Sequence, residues 1–222
     1  MKKVVVNIVS AAALTLGMAA ATNGMAATSQ NFSNHTSGNG AGIFVSGNLG
    51  YGTSGYSKSY YTNSVFGSQP TSYNDDAFAW AANAGYQFNR YLALEAGYIS
   101  FGQSKATSTL PATMTNTFGG FDAAAKGILP INNQFNVFAK AGVVDMHENV
   151  NLSSGSVSAN IGNGNSWAPL LGVGTAYNIN KNVALTVQDD YAFQTHYKKS
   201  DTTYLMPSAN AILGGVSFKF NM

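Results

Sequence analysis

The sequence predicts an all-β fold, an eight-stranded antiparallel up-and-down transmembrane β-barrel. Three observations favour it. Apolar and polar residues alternate with a period of two along most of the chain, as they do in strands with one apolar face. Charged residues make up only 9% of the chain, whereas a surface that meets water usually carries about 25%. The connections between predicted strands are alternately long and short, which is typical of bacterial transmembrane barrels.

The clearest hairpin spans residues 78–101. In its first arm, a pair of aromatic residues at each end of one face encloses alanines, and the other face carries alanine, glycine and amides. The centres of the two pairs are eight residues apart, or roughly 20 Å along the membrane normal for a strand tilted by about 40°. This approaches the apolar band of about 25 Å between the aromatic girdles of such barrels. The predicted girdle residues are Phe78, Trp80, Tyr86, Phe88 and Tyr98.

The N-terminus has the pattern of a cleavable signal peptide, which we place at residues 1–26. Lys2 and Lys3 precede an apolar run, and Gly24-Met25-Ala26 supplies a cleavage site. A retained membrane anchor is the alternative, but no charged flank follows the apolar run. The pattern therefore predicts export to the cell outer membrane.

The rest of the chain suits one domain. Residues 27–42 are rich in Ser, Asn, Thr and Gly and are expected to form a flexible segment, which leaves residues 43–222 for the barrel. The chain has no cysteine, which fits an exported protein without disulfides. Without Lys2 and Lys3, the 11 basic residues become 9 and equal the 9 acidic ones. A near-neutral mature chain does not indicate a nucleic-acid partner.

The first three strands are strand one and the two arms of the hairpin. An apolar row that starts at Ile43 predicts strand one, and a long loop dense in Ser, Tyr, Gly and Asn separates it from the hairpin. Asn89-Arg90 joins the arms, which are strands two and three. A second long polar loop follows and contains Pro111.

Strands four and five form the next hairpin. Phe121 begins the apolar row of strand four, and Phe135 begins that of strand five. Residues 130–134 make the short connection between them. Phe138 falls on the opposite face of strand five and is expected to pack inside the barrel.

Strands six to eight complete the predicted barrel. Pro169 is tolerated only near the start of strand six or at a bulge, and residues 180–182 form a tight turn. In strand seven, Asp189 falls in the apolar row, so either a bulge resets the register or Asp189 lies above the hydrocarbon. The predicted strands cover residues 43–51, 78–88, 91–101, 118–129, 135–144, 167–179, 183–193 and 209–220. The predicted long loops cover residues 52–76, 102–117, 145–166 and 194–207.

The orientation of the apolar rows decides between two barrel types. A soluble lipocalin-like barrel would turn them inward, whereas a transmembrane barrel turns them toward lipid. We predict the second, which places three acids and three bases in the lumen. This balance favours a packed ionic plug over a narrow pore, because eight strands enclose barely enough room for their own side chains. The predicted lumen network is Glu95, Asp122, Lys126, Lys140, Asp190 and Lys219.

The whole mature chain resembles the small outer-membrane β-barrel proteins of Gram-negative bacteria, the OmpA-like transmembrane domains and opacity porins. The motifs that carry the resemblance are residues 94–98 (LEAGY), 121–127 (FDAAAKG), 138–142 (FAKAG) and 172–177 (GVGTAY). Near the C-terminus, Gly215, Phe218 and Phe220 resemble the signal that the barrel-assembly machinery recognises in this family. Two features depart from the family: Asn221 and Met222 follow the last aromatic residue, and no peptidoglycan-binding domain follows the barrel.

The resemblance implies a non-enzymatic protein with a structural, surface-exposed role. Four extracellular loops would serve envelope integrity and adhesion to a host or another surface. The implied partners are outer-membrane lipid, lipopolysaccharide and the barrel-assembly machinery. Tyrosines of the first long loop are candidates for an adhesive surface, although an aromatic girdle or an unstructured surface loop would explain them equally well: Tyr51, Tyr56, Tyr60, Tyr61 and Tyr73.

Two alternatives to this role stay open. One is a narrow porin or a channel for small hydrophobic solutes. The other, less favoured, is a lipid-modifying enzyme that would use His147-Glu148, or His196 with Ser200. His35, His147 and His196 are far apart and show no metal-ligand spacing, so we predict no metal and no cofactor.

Overall fold

The computed structural model describes residues 40–55, 72–108, 112–154, 157–199 and 202–221. The predicted signal peptide and nearly all of the segment 27–42 lie outside these residues, as do Tyr56, Tyr60 and Tyr61. Among the described residues no helix is long and apolar enough to cross a membrane. The strands are β1 (Gly42–Ser54), β2 (Ser72–Asn74), β3 (Asp76–Gln87), β4 (Leu92–Thr107), β5 (Ala112–Pro130), β6 (Phe135–Ser154), β7 (Val157–Asn178), β8 (Val183–Ala192), β9 (Thr195–Lys199), β10 (Thr202–Met206) and β11 (Ala209–Asn221).

Eight of these strands close into an antiparallel barrel. Each wall strand pairs with its neighbours along the chain, and β1 pairs with β11, so the described wall has no open edge. Short β2 pairs with the outer end of β4. Strands β9 and β10 form a separate hairpin between β8 and β11. The predicted eight-stranded up-and-down barrel is therefore confirmed.

The three short turns are stabilised by the same asparagine side-chain hydrogen bonds. Asn89, Asn132 and Asn180 each stand at the start of a turn, and each side-chain Oδ1 accepts hydrogen bonds from the backbone N–H groups two and three residues later. The distances lie between 2.8 and 3.0 Å. An asparagine side chain thereby replaces the missing backbone partners of a tight turn.

The apolar rows face outward. Phe121 is 66% exposed and Phe78 64%, so the described residues leave most of both side chains uncovered. Toward the loop side, the Trp80 ring stacks on Tyr98 at 5.4 Å, and Tyr98 meets the edge of Phe121 at 5.2 Å. Toward the turn side, Tyr86 and Phe88 pack edge to face at 5.1 Å. The surface thus has two aromatic belts with aliphatic residues between them, as a lipid-spanning barrel requires.

Four strands run much further than predicted. Most of residues 145–166, expected as a loop, continue β6 and β7, and β4 and β5 likewise include residues 102–107 and 112–117. The hairpin of β9 and β10 occupies much of residues 194–207. The sequence did not predict these extensions because the alternation of apolar and polar residues reverses outside the membrane. Here the polar residues face outward, and inward residues such as Met114 and Met146 are buried.

The described wall has two register shifts, one between Val150 and Asn151 where β6 pairs with β7, and the other in β4. Its pairing with β5 shifts between Ser100 and Gly102, and Gly102 has φ +88°, which favours glycine. The extra residue, Phe101, is 2% exposed and belongs to the apolar cluster of the interior. At Asp189 the pairing of β8 with both neighbours is continuous, so no bulge resets the register there.

Asp189 keeps its place in the outward row. It is half-buried, and its Oδ1 accepts a hydrogen bond of 2.6 Å from Asn210 Nδ2. Asp189 pairs with Ile212, Ile212 pairs with Tyr51, and Tyr51 pairs with Phe78 of the loop-side belt. The carboxylate is therefore tolerated in an apolar row because a neighbouring amide binds it near the aromatic belt.

The loop-side half of the interior contains a large apolar cluster. Sixteen buried residues from the wall strands and β10 form one cluster, which we call the apolar plug. Phe101, Phe118 and Leu213 are at most 2% exposed, so this part of the lumen is packed with side chains. The plug consists of Ala79, Ala81, Ile99, Phe101, Ala106, Met114, Phe118, Val144, Met146, Ala168, Leu170, Ala192, Met206, Ala209, Ala211 and Leu213.

Because the apolar rows face lipid, the cost of placing a charged residue in them should depend strongly on its height in the membrane. Ala125 lies in the outward row of β5, four residues on the turn side of Phe121, and Thr117 lies four residues on the loop side. Ala125→Arg should lower the free energy of unfolding in lipid vesicles by about 2–4 kcal/mol, whereas Thr117→Arg should cost about 0–1 kcal/mol. Denaturant titration of both variants measures the difference. Equal costs would contradict the placement of the membrane.

Candidate functional site

The centre of the lumen holds a continuous chain of charges. Lys126 forms an ion pair with Glu95 Oε2, and Lys140 Nζ lies 3.1 Å from Glu95 Oε1 and 3.0 Å from Asp190 Oδ1. Gln188 Nε2 donates to the other Asp190 oxygen at 2.7 Å. The side chains of Glu95, Lys140 and Asp190 are at most 2% exposed. Because an unpaired charge would be costly here, the pairing is what permits the burial.

The other two residues of the predicted network are placed differently. Asp122 is buried and accepts hydrogen bonds from Asn83 Nδ2 at 3.3 and 3.4 Å. Lys219 does not join the charge chain. Its Nζ donates to the Gly40 carbonyl at 3.1 Å and to Gln87 Oε1 at 3.3 Å. Although Lys219 has the predicted inward parity, it lies near the end of β11 at the turn side, too far along the barrel to meet the acids.

Two phenylalanines lie beside Lys126. Its Nζ is 4.7 Å from the ring centre of Phe138 and 5.3 Å from that of Phe44, within the range of cation–π attraction. Phe44 is 6% and Phe138 5% exposed. Phe138 was expected inside the barrel, whereas Phe44 was not singled out. We call this pair the aromatic floor, and it adds apolar packing to the turn-side half of the lumen.

Glycines let polar side chains meet across an intervening strand. Gly172 pairs with Lys140 on one side and Asp190 on the other. A Cβ at Gly172 would collide with Asp190 Oδ1 and lie 2.6 Å from Lys140 Cε. The ion pair therefore passes directly over the glycine, and any side chain at this position would occupy the same space.

The same arrangement occurs twice more. Gly97 pairs with Asn83 and Asp122, which are hydrogen-bonded over it, and a Cβ there would lie 2.5 Å from Asn83 Nδ2. Gly215 pairs with Asn48 and Thr186, and Thr186 Oγ1 donates to Asn48 Oδ1 at 2.9 Å. Three polar–glycine–polar rows thus line the lumen.

The structure gives Gly215 a local role besides its predicted part in an assembly signal. It faces the lumen beneath the contact of Asn48 with Thr186, where a Cβ would collide with Asn48 Oδ1. Phe218 and Phe220, the other residues of that signal, face outward and are 48% and 61% exposed. Recognition by the assembly machinery stays a prediction.

The histidines form no reactive cluster in the described residues. His147 is exposed on the outer side of β6, whereas Glu148 is buried on the inner side, so the two side chains point apart. His196 is exposed on β9, and its carbonyl accepts a hydrogen bond from Ser166 Oγ. His35 and Ser200 lie outside the described residues. The described chain also holds no group of three or more His, Cys, Asp or Glu residues placed to bind a metal ion.

The glycine row under the ion pair predicts a sharp contrast between two alanine substitutions. Gly172→Ala should lower the free energy of unfolding by about 1–3 kcal/mol, because the new methyl group overpacks the lumen between Lys140 and Asp190. The matched control is Gly127→Ala in the outward row of β5, where a Cβ would meet only one carbonyl at 3.9 Å. This control should stay within about 0.5 kcal/mol. Urea unfolding in lipid vesicles compares them, and equal stabilities would disprove the crowding.

Comparison with known proteins agrees with this architecture. Residues 45–222 match the family model of the OmpA-like transmembrane domain. An uncharacterized protein of Coxiella burnetii is 28% identical over 255 residues, which cover 99% of this chain and 100% of the relative. The match to the family therefore spans most of the chain.

One solved structure shows the same fold at low identity, and two others are similar to a lesser degree. Neisserial surface protein A superposes with a TM-score of 0.52 at 17% identity, covering 81% of this chain and 99% of that protein. Ail, the attachment invasion locus protein of Yersinia pestis, gives 0.48 at 14% identity, covering 81% and 99%. OprG from Pseudomonas aeruginosa gives 0.48 at 15%, covering 83% and 99%. With the family match and the closed eight-stranded wall, the chain belongs to the family of OmpA-like transmembrane domains, small β-barrels of the outer membrane.

Proposed function

We propose that this protein is a non-conducting, non-enzymatic outer-membrane barrel that supports the envelope and presents an extracellular surface. The observation that carries the proposal is the filling of the lumen. The aromatic floor, the charge chain and the apolar plug follow one another along the barrel axis. An ion that crossed the barrel would have to displace all three.

The three layers resist opening for different reasons. Separating Lys140 from Glu95 and Asp190 would leave charges buried without partners, at a cost of about 3–5 kcal/mol. Moving Phe101 or Phe118 out of the plug would expose apolar surface worth about 1.5–3 kcal/mol for each side chain. A narrow pore would require the ion pairs to separate and the phenylalanines to move at the same time. A closed barrel is therefore better supported than a pore.

The surface role is supported by the height of the strands above the membrane. Asp145 pairs with Phe121 and Trp167, two exposed aromatic residues of the loop-side belt. Strand β6 continues for nine residues beyond Asp145, to Ser154, or roughly 20 Å along the membrane normal at the usual tilt. The barrel therefore carries a β-structured extension that can meet another surface. Loop-side adhesion to a host or another surface is the function we assign to it.

Of the five predicted loop tyrosines, the structure describes Tyr51 and Tyr73. Tyr73 is partly buried and packs against the apolar plug. Tyr51 lies in the outward row of β1, where it pairs with Phe78 of the aromatic belt. Both described tyrosines thus serve packing or the membrane boundary, and the contact surface that we propose consists of the extended strands.

A second candidate is entry of small hydrophobic solutes through the wall. The direct pairing of β3 with β4 ends at Trp80 and Ser100, and the next described pairing on this edge of β4 is with β2, at Asn74 and Lys105. A surface pocket of about 210 Å³ lies along this interruption. The buried Phe101 packs behind it, which is why we place this function second.

Bilayer recordings test the first proposal. Purified protein in planar bilayers should show no steady ion conductance, and Lys140→Met should also stay closed because the apolar plug is unchanged. Heat-modifiable migration on gels confirms that each sample is folded, and a conducting porin serves as the positive control. Steady channels whose conductance changes when Lys126 or Lys140 is replaced would overturn the proposal in favour of a pore.

Solute uptake tests the second candidate. If the wall admits small hydrophobic molecules, Phe101→Ala should raise the uptake of an apolar fluorescent dye into proteoliposomes, because it removes the side chain behind the interruption. Phe220→Ala, an exposed phenylalanine at the turn side, is the matched control. Equal uptake by wild type, both variants and empty liposomes would exclude this route.

A further inference from the structure

The loop-side aromatic belt includes a carboxylate. One outward row across β4, β5, β6 and β7 consists of Tyr98, Phe121, Asp145 and Trp167, each of which pairs with the next. Asp145 thus lies between Phe121 and Trp167, whose side chains are 66% and 64% exposed. Directly opposite side chains of antiparallel strands have Cβ atoms about 4.5–5.5 Å apart. The two rings therefore flank the carboxylate on both sides.

One oxygen of this carboxylate has no hydrogen-bond donor. The side chain of Asp145 is 23% exposed, but its Oδ1 is buried and accepts no hydrogen bond from any residue that the structure describes. His147 Nε2 lies 3.8 Å from the other oxygen, Oδ2, which is beyond hydrogen-bond length. Since nearly all buried polar atoms have a partner, a donor supplied by a ligand would complete the bonding of Oδ1.

The other outward carboxylate near this belt is bonded within the protein. Asp189 Oδ1 accepts a hydrogen bond of 2.6 Å from Asn210 Nδ2. Its partners across the strands are Val173 and Ile212, which are aliphatic. An acid at this height can therefore be satisfied by a neighbouring amide. The open oxygen and the two flanking rings are what distinguish Asp145.

The chemistry of the three side chains indicates a cation that carries N–H groups. The faces of tryptophan and phenylalanine rings attract a cation within about 6 Å of the ring centre, and a carboxylate accepts strong hydrogen bonds from an ammonium group. A quaternary ammonium ion would meet the rings but has no proton to donate. A neutral alcohol could donate but would leave the negative charge unbalanced. A protonated primary amine satisfies the rings, the charge and the open oxygen.

We propose that Asp145, Phe121 and Trp167 form a binding site for a protonated primary amine. The site goes beyond the proposed function, and it stands whether or not the lumen conducts. The amine can come from a soluble molecule or from an ethanolamine headgroup of the surrounding membrane, because both present the same ammonium group.

The test uses Trp167 as its own reporter. The chain has 2 tryptophans, so Trp80→Phe leaves Trp167 alone. Full-length protein with this change, in nanodiscs of phosphatidylcholine, is titrated with propylammonium at pH 7, which should change the Trp167 emission until the site is saturated. Tetramethylammonium, which has no N–H group, should bind about tenfold more weakly. Asp145→Asn should weaken propylammonium binding by a similar factor, because it removes the charge and keeps the shape.

The matched control is Asp189→Asn, which removes the other outward carboxylate and should leave propylammonium binding unchanged. Each variant must retain heat-modifiable migration. If Asp145→Asn does not fold, Phe121→Leu replaces it and should weaken binding by removing one ring.

A second set of nanodiscs, half phosphatidylethanolamine, identifies the source of the amine. Weaker propylammonium binding there would show that the headgroup occupies the site, and unchanged binding would show that the site takes a soluble amine; either result supports a site for primary ammonium. No saturable response in phosphatidylcholine nanodiscs, or equal binding by folded Asp145→Asn, would overturn the inference.

Discussion

The structure depends on the requirement that every backbone N–H and C=O group within the hydrocarbon has a partner inside the protein. Eight strands satisfy it by closing β1 onto β11, and closure at this strand number leaves only a narrow lumen. The inward side chains must therefore fit together as a core. Glycines at Gly97, Gly172 and Gly215 provide the space that this fit needs, since polar partners meet directly over them. The ion pairs and the glycines are thus two parts of one packing solution.

A second consequence is the reversal of polarity along the strands. Within the membrane the outer rows are apolar and the lumen holds Glu95, Lys140 and Asp190. Beyond the aromatic belt, the outer rows of β6 and β7 are polar and include His147 and several asparagines, while Met114 and Met146 are buried in the interior. The backbone pairing continues unchanged across this boundary. The solvent around each segment, lipid or water, determines which face is apolar.

This reversal explains how much could be predicted from the sequence. The alternation identified the eight wall strands, and parity alone placed Glu95, Asp122, Lys126, Lys140 and Asp190 in the lumen. The extensions of β4 to β7 were missed because only outward apolar rows were taken as evidence of strands. The alternation of inward and outward residues also could not predict which of the lumen charges pair with one another. Asp190 lies two residues from the loop-side end of β8, and Lys140 lies five residues from the turn-side start of β6. Because the strands are tilted, these two side chains still meet, whereas Lys219 stays apart.

The apolar plug links the closed lumen to the exposed extension. An isolated two-stranded ribbon is marginally stable in water, but β5 pairs with β6 as far as Ser154, so β5, β6 and β7 project together as a three-stranded ribbon. Val150 and Leu152 attach this ribbon to the plug, with Met114 of β5 beside them. The side chains on its outer face are therefore held in a fixed array before any ligand binds, which reduces the entropy lost on binding. The residues of the apolar plug fill the loop-side part of the lumen and also support the outer surface. A barrel of this size can therefore present a rigid contact surface, because its interior is packed with side chains.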